Sequence, residues 1–202
     1  MKVIEQLLTN AGISPIAGVD EAGRGACAGP LVIASVVLND PFAPELAVVR
    51  DSKEIAENKR DAVFDLIHQV AASVSVVIVP ASEVDSRGVH AANLDGMRRA
   101  VQGLAIEPAY VLTDGYAIEG LGLPNLAVWK GDQVVVSISA ASVIAKVTRD
   151  RIMREMDHQF PQYGFAGHKG YITAAHTKAL NEHGPCAQHR RSFANVAALI
   201  HK

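Results

Sequence analysis

Two adjacent carboxylates, Asp20 and Glu21, stand directly before an arginine set between glycines in the stretch GVDEAGRGACAGP, residues 18–30. Two further aspartates close apolar runs: Asp114 ends AYVLTD (109–114) and Asp132 ends NLAVWKGD (125–132). Acids at strand ends along one edge of a sheet lie where ligand sites form. Brought together unpaired, they repel one another and their pKa values rise. A hard divalent cation, magnesium or manganese, relieves that repulsion through oxygen ligands and keeps waters that a phosphate oxygen can replace. Four acids beside a glycine-flanked arginine therefore point to a metal-bridged phosphate site. Taken singly, Asp114 in TDGY also suits a turn aspartate, and Asp132 in KGDQ also suits a capping residue.

The glycines narrow the chemistry. GRGACAG comes near G-x-G-x-x-G, but its spacing is one residue too long. Pro30 and the β-rich run LVIASVV follow where a dinucleotide site needs a helix N-terminus. A tight turn whose bare backbone approaches a sugar or phosphate fits better, with Arg24 adding charge. A plain hairpin turn accounts for the glycines, but not for an arginine and two acids sharing them. No Cys-His or G-x-S-x-G arrangement supplies a side-chain nucleophile. His168, His176 and His183 match no compact zinc pattern and read as scattered basic surface.

The elements that must position these residues follow from periodicity. SPIAGV (14–19) reads as a first strand and LVIASVVL (31–38) as a buried second one. Residues 54–70 place Val63, Leu66, Ile67 and Val70 on one helical face. A third strand over 73–79 and a helix near 89–103 precede the two strands that end in Asp114 and Asp132. A long helix over 137–160, capped by one of its early serines, leads into short helical pieces. This order implies a mixed sheet with helices packed on it and a small helical lobe at the end.

Composition sets the class. The chain has 202 residues, 49% hydrophobic and 20% charged, enough for one substantial core and too apolar for disorder. Cys27 and Cys186 form no disulfide framework and suit a reducing cytosol. Glu5 interrupts the N-terminal apolar stretch, and no run approaches a membrane span, so a soluble cytoplasmic protein is expected. No uncovered apolar stripe asks for a mate, so a monomer is expected. Residues 1–145 hold ten Lys or Arg against seventeen Asp or Glu, whereas 146–191 hold eight against four, with five of the eight histidines. An acidic body with a basic segment fits a carboxylate site facing a phosphate-binding surface. Ordinary solvated helix faces would give the same counts.

Read in order, GVDEAGRGACAGPLVIASVV, DSKEI (51–55), LTDGY (112–116), KGDQVVVSISAASVIAKVTRDRIM (130–153), YGFAGHKGYIT (163–173) and HRRSF (189–193) resemble the motif blocks of bacterial ribonuclease HII, the type 2 ribonuclease H family. The resemblance runs from residue 14 to 197. It implies a ribonuclease H-like α/β fold, a five-stranded mixed sheet flanked by helices, with a catalytic core over 1–160 and a C-terminal helical extension over 161–202 packed on it. It implies endonucleolytic cleavage of the RNA strand of RNA–DNA hybrids and incision 5′ of single ribonucleotides embedded in duplex DNA. No obligate protein partner is implied.

Carried over residue by residue, Asp20, Glu21, Asp114 and Asp132 match the family's catalytic, metal-binding acids. They would hold two Mg2+ or Mn2+ ions that activate water and stabilise the departing 3′-oxygen, leaving 5′-phosphate and 3′-hydroxyl ends. Gly23, Arg24 and Gly25 match the turn that senses the ribose 2′-hydroxyl and adjoining phosphate. Tyr171 matches the tyrosine that stacks on the sugar following the scissile bond, although a tyrosine in such a loop also suits packing. Lys53 is a candidate substrate contact. Arg190 and Arg191 suit either DNA-backbone binding or capping of the last helix. The chain departs from the family at Glu54, where a second lysine is common, and at Gly88 and Val89, where many members carry asparagine and isoleucine. SFANV likewise replaces a proline-containing ending.

Overall fold

A computed structural model describes residues 3–51 and 57–200. Lys53 and Glu54 lie outside the described residues. Helix α1 (Val3–Asn10) leads into β1 (Ile16–Ala22) and β2 (Leu31–Leu38). Helix α2 (Glu57–Val70), β3 (Ala71–Val79), α3 (Ala81–Arg87) and α4 (Val89–Gln102) follow. Then come β4 (Tyr110–Asp114), β5 (Asn125–Val128), the short α5 (Gly131–Val134) and the long α6 (Val136–Gln159). The chain ends in α7 (Phe165–His168), α8 (Ala174–His183) and α9 (Ala194–Ile200).

The five strands form one mixed sheet in the order β3-β2-β1-β4-β5. β1 is antiparallel to β2 and parallel to β4; β2 pairs antiparallel with β3, and β4 parallel with β5. The fold class expected from the sequence is thus observed. Every residue of β2 is buried, because helices cover both faces of the sheet. On one face Val32, Ala34 and Val36 meet Val63 and Ile67 of α2 and Ala140, Ala141 and Ile144 of α6. On the other, Val19, Leu31 and Ile33 meet Ala92, Met97 and Ala100 of α4. Gly18 lets α6 press on β1: a Cβ there would stand 2.1 Å from the Ser137 carbonyl carbon.

Two expectations need correction, and two helices were not anticipated. β5 ends at Val128, so Asp132 is not a strand-end residue; it sits on α5, beyond a turn in which Lys130 is left-handed at φ 52°. The expected serine cap on α6 is absent, with Val135 at the N-cap position. Instead the buried carboxylate of Glu5 accepts hydrogen bonds from Val136 N at 2.9 Å and Ser137 N at 3.0 Å. A charged acceptor from another helix thus satisfies the orphan donors, and the helix dipole reinforces it. Glu5, which interrupted the apolar pattern of the N-terminus, is there to hold α6. Finally, the short helices α1 and α3 escaped the sequence reading, although Val3, Ile4, Leu7 and Leu8 mark an apolar face over two turns of α1; α3 has only seven residues.

Candidate active site

The end of β1 sets two carboxylates on the sheet edge. Asp20 is buried, and its Oδ1 accepts from the Glu21 backbone N at 2.7 Å. Burial, with Glu21 and then Asp114 nearby, raises the Asp20 pKa well above its ordinary value, while Ser142 of α6 opposes the shift. Burial pushes Glu21 up to about 7, Arg24 and Asn93 pulling back and Asp114 adding to the rise. Oε2 of Glu21 is buried with no hydrogen-bond partner. Asp114 ends the neighbouring strand β4, and its Oδ1 accepts from Gly131 N at 2.7 Å, which ties β4 to the turn carrying the buried Asp132. Asp20, Glu21 and Asp114 therefore act on one another electrostatically, and the Gly131–Asp114 hydrogen bond ties the turn that carries Asp132 to them.

The oxygen-only donor set, the raised pKa values and the orphaned Glu21 oxygen suit a hard divalent cation. Among the described residues no three such side chains already close into a ligand cage.

Next to the acids, residues 23–30 join β1 to β2. Gly23 has φ 86°, and a Cβ on it would stand 1.8 Å from Arg149 Nε. At Gly25 a Cβ would meet no atom within 4 Å, so that glycine faces open space. The Arg24 guanidinium lies 4.5 Å from the centre of the Tyr116 ring. Two depressions meet at Glu21 and Arg24. One, of about 370 Å3, is lined by residues 22–25, Arg60, Ser142, Val143, Lys146 and Tyr171. The other, of about 440 Å3, is lined by Asp114, Gly115, Tyr116, Trp129, Lys130 and Asp132. Glu21, the 23–25 turn and Tyr171 thus line the first depression and Glu21, Arg24, Asp114 and Asp132 the second, with Asp20 buried next to Glu21.

Two buried arginines hold that cleft's backbone in shape. Arg149 donates to Pro30 O (2.9 Å), Ala28 O (3.0 Å) and Lys169 O (2.8 Å), and its guanidinium lies 5.4 Å from the Tyr171 ring. Arg190 donates to Gly29 O at 3.1 Å and Arg24 O at 3.0 Å. Neither role expected for Arg190 is observed: it is fully buried and anchors the glycine turn, and burial pushes its pKa down to about 10. The backbone N of Arg191 donates to Asp85 at 2.8 Å.

The histidines are also redrawn. His176 and His189 are buried rather than scattered on the surface, and His189, not His183, joins His168 and His176. Their hydrogen bonds assign each ring its proton. His176 Nδ1 lies 2.9 Å from Tyr171 O and must donate to it; Cys186 N donates to His189 Nδ1 at 3.0 Å; His189 Nε2 is then the donor to His176 Nε2 at 3.1 Å. Both rings are neutral in this chain of bonds, which ends on the backbone of Tyr171.

Sequence reasoning missed Asn93, Ser142, Arg60, Lys146, Trp129 and the Arg149–Arg190 pair. Asn93 had a signal, a polar residue amid the apolar face that Ala92, Gly96 and Met97 give α4. Nothing in the sequence marked a fully buried arginine.

Known proteins resemble this chain in sequence and in fold. The family model of Ribonuclease HII matches residues 17–196. A Ribonuclease HII of Acidothermus cellulolyticus is 57% identical over 95% of this chain, which spans 62% of that relative's length. One of Mycolicibacterium smegmatis is 54% identical over 97% of this chain and 72% of its own. Among solved structures, the ribonuclease H2 of Pyrococcus horikoshii is similar with a TM-score of 0.79 at 26% identity, covering 91% of this chain and 96% of that one. The RNase HII of Archaeoglobus fulgidus, solved in complex with PCNA, gives 0.78 at 25% identity over 88% and 94%. Bst-RNase HIII in complex with Mn2+ gives 0.67 at 17% identity over 92% and 69%, a likeness of fold.

Proposed function

The chain belongs to the ribonuclease HII family of RNase H endonucleases, and from that premise we propose that it cuts the RNA strand of RNA–DNA hybrids and incises duplex DNA 5′ of single embedded ribonucleotides. Asp20, Glu21, Asp114 and Asp132 would hold the Mg2+ or Mn2+ ions, which supply Lewis-acid charge and an activated water at the phosphate. The observation that carries the reading is that Glu21, which Asp20 and Asp114 both repel, lines the depression of the 23–25 turn as well as that of Asp114 and Asp132.

The chain's own residues do the rest. Gly25, open on its side-chain face, admits a nucleic-acid backbone close to the turn, and backbone groups there read the 2′-hydroxyl that separates RNA from DNA. Arg24 adds positive charge at the adjoining phosphate. Tyr171, 40% exposed beside that turn, stacks on the following sugar. Lys146, whose ammonium donates to both oxygens of the buried Asp150, and Arg60, 3.9 Å from the same carboxylate, line the same depression and face the downstream backbone. Lys53 is a further substrate contact. The core over 1–160 carries the chemistry, and the extension over 161–202 brings Tyr171 to it.

Among the described residues no helix is long and apolar enough to cross a membrane. We place the enzyme in the cytoplasm, acting as a monomer in ribonucleotide and primer removal. The PCNA complex of the archaeal relative makes a sliding clamp the first accessory partner to try. End-mapping on a uniform RNA–DNA hybrid tests the chemistry: 5′-phosphate and 3′-hydroxyl ends that require Mg2+ or Mn2+ are expected. Cyclic-phosphate or 3′-phosphate ends would instead mean attack by the 2′-hydroxyl and would remove the acids from their role.

A further inference from the structure

Trp129 is the only tryptophan of the chain and, at 81%, the most exposed large apolar side chain among the described residues. Such a ring in water is unfavourable unless something covers it during function. Its backbone is not loose. Val128 before it is buried in the sheet, and Lys130 after it takes the left-handed conformation at φ 52°. Gly131 then turns inward, donating to Asp114 at 2.7 Å, in a place where a Cβ would stand 2.6 Å from Ile138 Cδ1. Asp132 follows, buried. The turn therefore points Trp129 and Lys130 outward and Gly131 and Asp132 inward, and a strained residue at its centre fixes that division.

Trp129 lines the depression that contains Asp114, Asp132 and Tyr116, and this depression shares only Glu21 and Arg24 with the one that contains Tyr171. Tyr171 and Trp129 thus stand in two depressions that join at Glu21 and Arg24, with Lys146, itself paired with Asp150, beside the first ring and Lys130 next to the second. Interleaved aromatic and basic side chains along a groove are a platform for a sugar–phosphate backbone, the rings taking sugar or base faces and the cations taking phosphates.

We propose that Trp129 is a substrate-binding residue that packs on a nucleotide of the cut strand 5′ of the ribonucleotide, on the far side of the acids from Tyr171. This rests on the proposed function above and deepens it by giving the cleft a second stacking contact. Lys130 receives the phosphate next to that nucleotide.

Because the ring is the sole tryptophan, its emission reports on its own surroundings. Metal-free protein in EDTA is titrated with a dye-labelled duplex holding one ribonucleotide, with dye anisotropy measuring binding and tryptophan emission read in parallel. At saturation the emission is expected to be quenched. A duplex shortened 5′ of the ribonucleotide is expected to bind without quenching, whereas one shortened on the 3′ side still quenches. Trp129→Ala, at an exposed position that leaves the fold intact, is expected to raise Kd about tenfold, the size of one lost stacking contact, with Trp129→Phe restoring most of it. Saturated binding with unmoved emission, quenching that follows the 3′ flank, or an unchanged Kd in Trp129→Ala each overturns the proposal while leaving the nuclease reading in place. Failure of the unaltered protein to bind any ribonucleotide-containing duplex in EDTA, together with failure to cut one in Mg2+ or Mn2+, overturns both.

Discussion

Ionised Asp20 and Glu21 share one buried edge with Asp114, and without a cation the fold bears their repulsion. A carboxyl whose folded-state pKa is raised withdraws stability as pH climbs from its unfolded value to the folded one; for Glu21 that window runs from 4.5 to about 7. At pH 8 in EDTA, Asp20→Asn should therefore melt higher than the unaltered protein while losing all cleavage, a trade of stability against activity. Mn2+ should raise the melting temperature of the unaltered protein far more than that of the variant. A lower melting temperature for Asp20→Asn without metal would mean that the acids are not in conflict. The two glycines of the turn should separate in the same assays. Gly23→Ala puts a Cβ onto Arg149 at a left-handed position and should cost roughly 1–3 kcal/mol of stability. Gly25→Ala meets nothing in the protein, so it should melt normally yet cut poorly, its methyl occupying space needed by the substrate. Equal melting losses in both would assign Gly25 a structural role instead.

At the scale of elements, α6 carries much of the site, contributing Ser142, Lys146 and Arg149 from one helix whose start is held by Glu5. Removing that carboxylate with Glu5→Ala leaves two buried donors without their acceptor and should lower unfolding free energy by about 1–3 kcal/mol in urea titrations. Glu5→Gln, which keeps one acceptor oxygen, should lose less. A neutral Glu5→Ala would show that water satisfies the helix start. This cap also marks the limit of what was legible in the chain. β1, β2, β4 and α6 could be read because their patterns are local: runs of β-branched residues or one long helical stretch. The strand-end positions of Asp20, Glu21 and Asp114 could be read for the same reason, each standing beside such a run. The Glu5 cap, the arginines under the turn and the His176–His189 pair join residues far apart in sequence, so no local period reveals them. The misplaced Asp132 has a related cause. The apolar run 126–129 invites a longer strand, whereas the left-handed Lys130 ends it and directs Asp132 inward from a helical turn.

Across the whole molecule, the glycine turn, the Tyr171 loop and the chain near His189 are drawn together by Arg149, Arg190 and the neutral histidine pair. Burial, with His176 adding, pushes His189 down to about 4, and burial also lowers His176. Because the unfolded chain takes up these protons first, their contribution to stability is complete above the ordinary histidine value of 6.5 and is lost as pH falls toward 4. Glu21 acts in the opposite sense over much of that range, so the difference between variants isolates the histidines. His189→Gln, which keeps a donor toward His176 but cannot take a proton, should lose less stability than the unaltered protein between pH 6.5 and pH 4.5; equal losses would remove the pair from the account. The most direct test of the central claim is incision of a labelled DNA duplex containing a single ribonucleotide, with an all-DNA duplex alongside, in Mg2+ or Mn2+. A single cut 5′ of the ribonucleotide is expected, with none in the all-DNA duplex and none with Asp20→Asn. Binding without incision in either metal, or cutting of the all-DNA duplex, would contradict it.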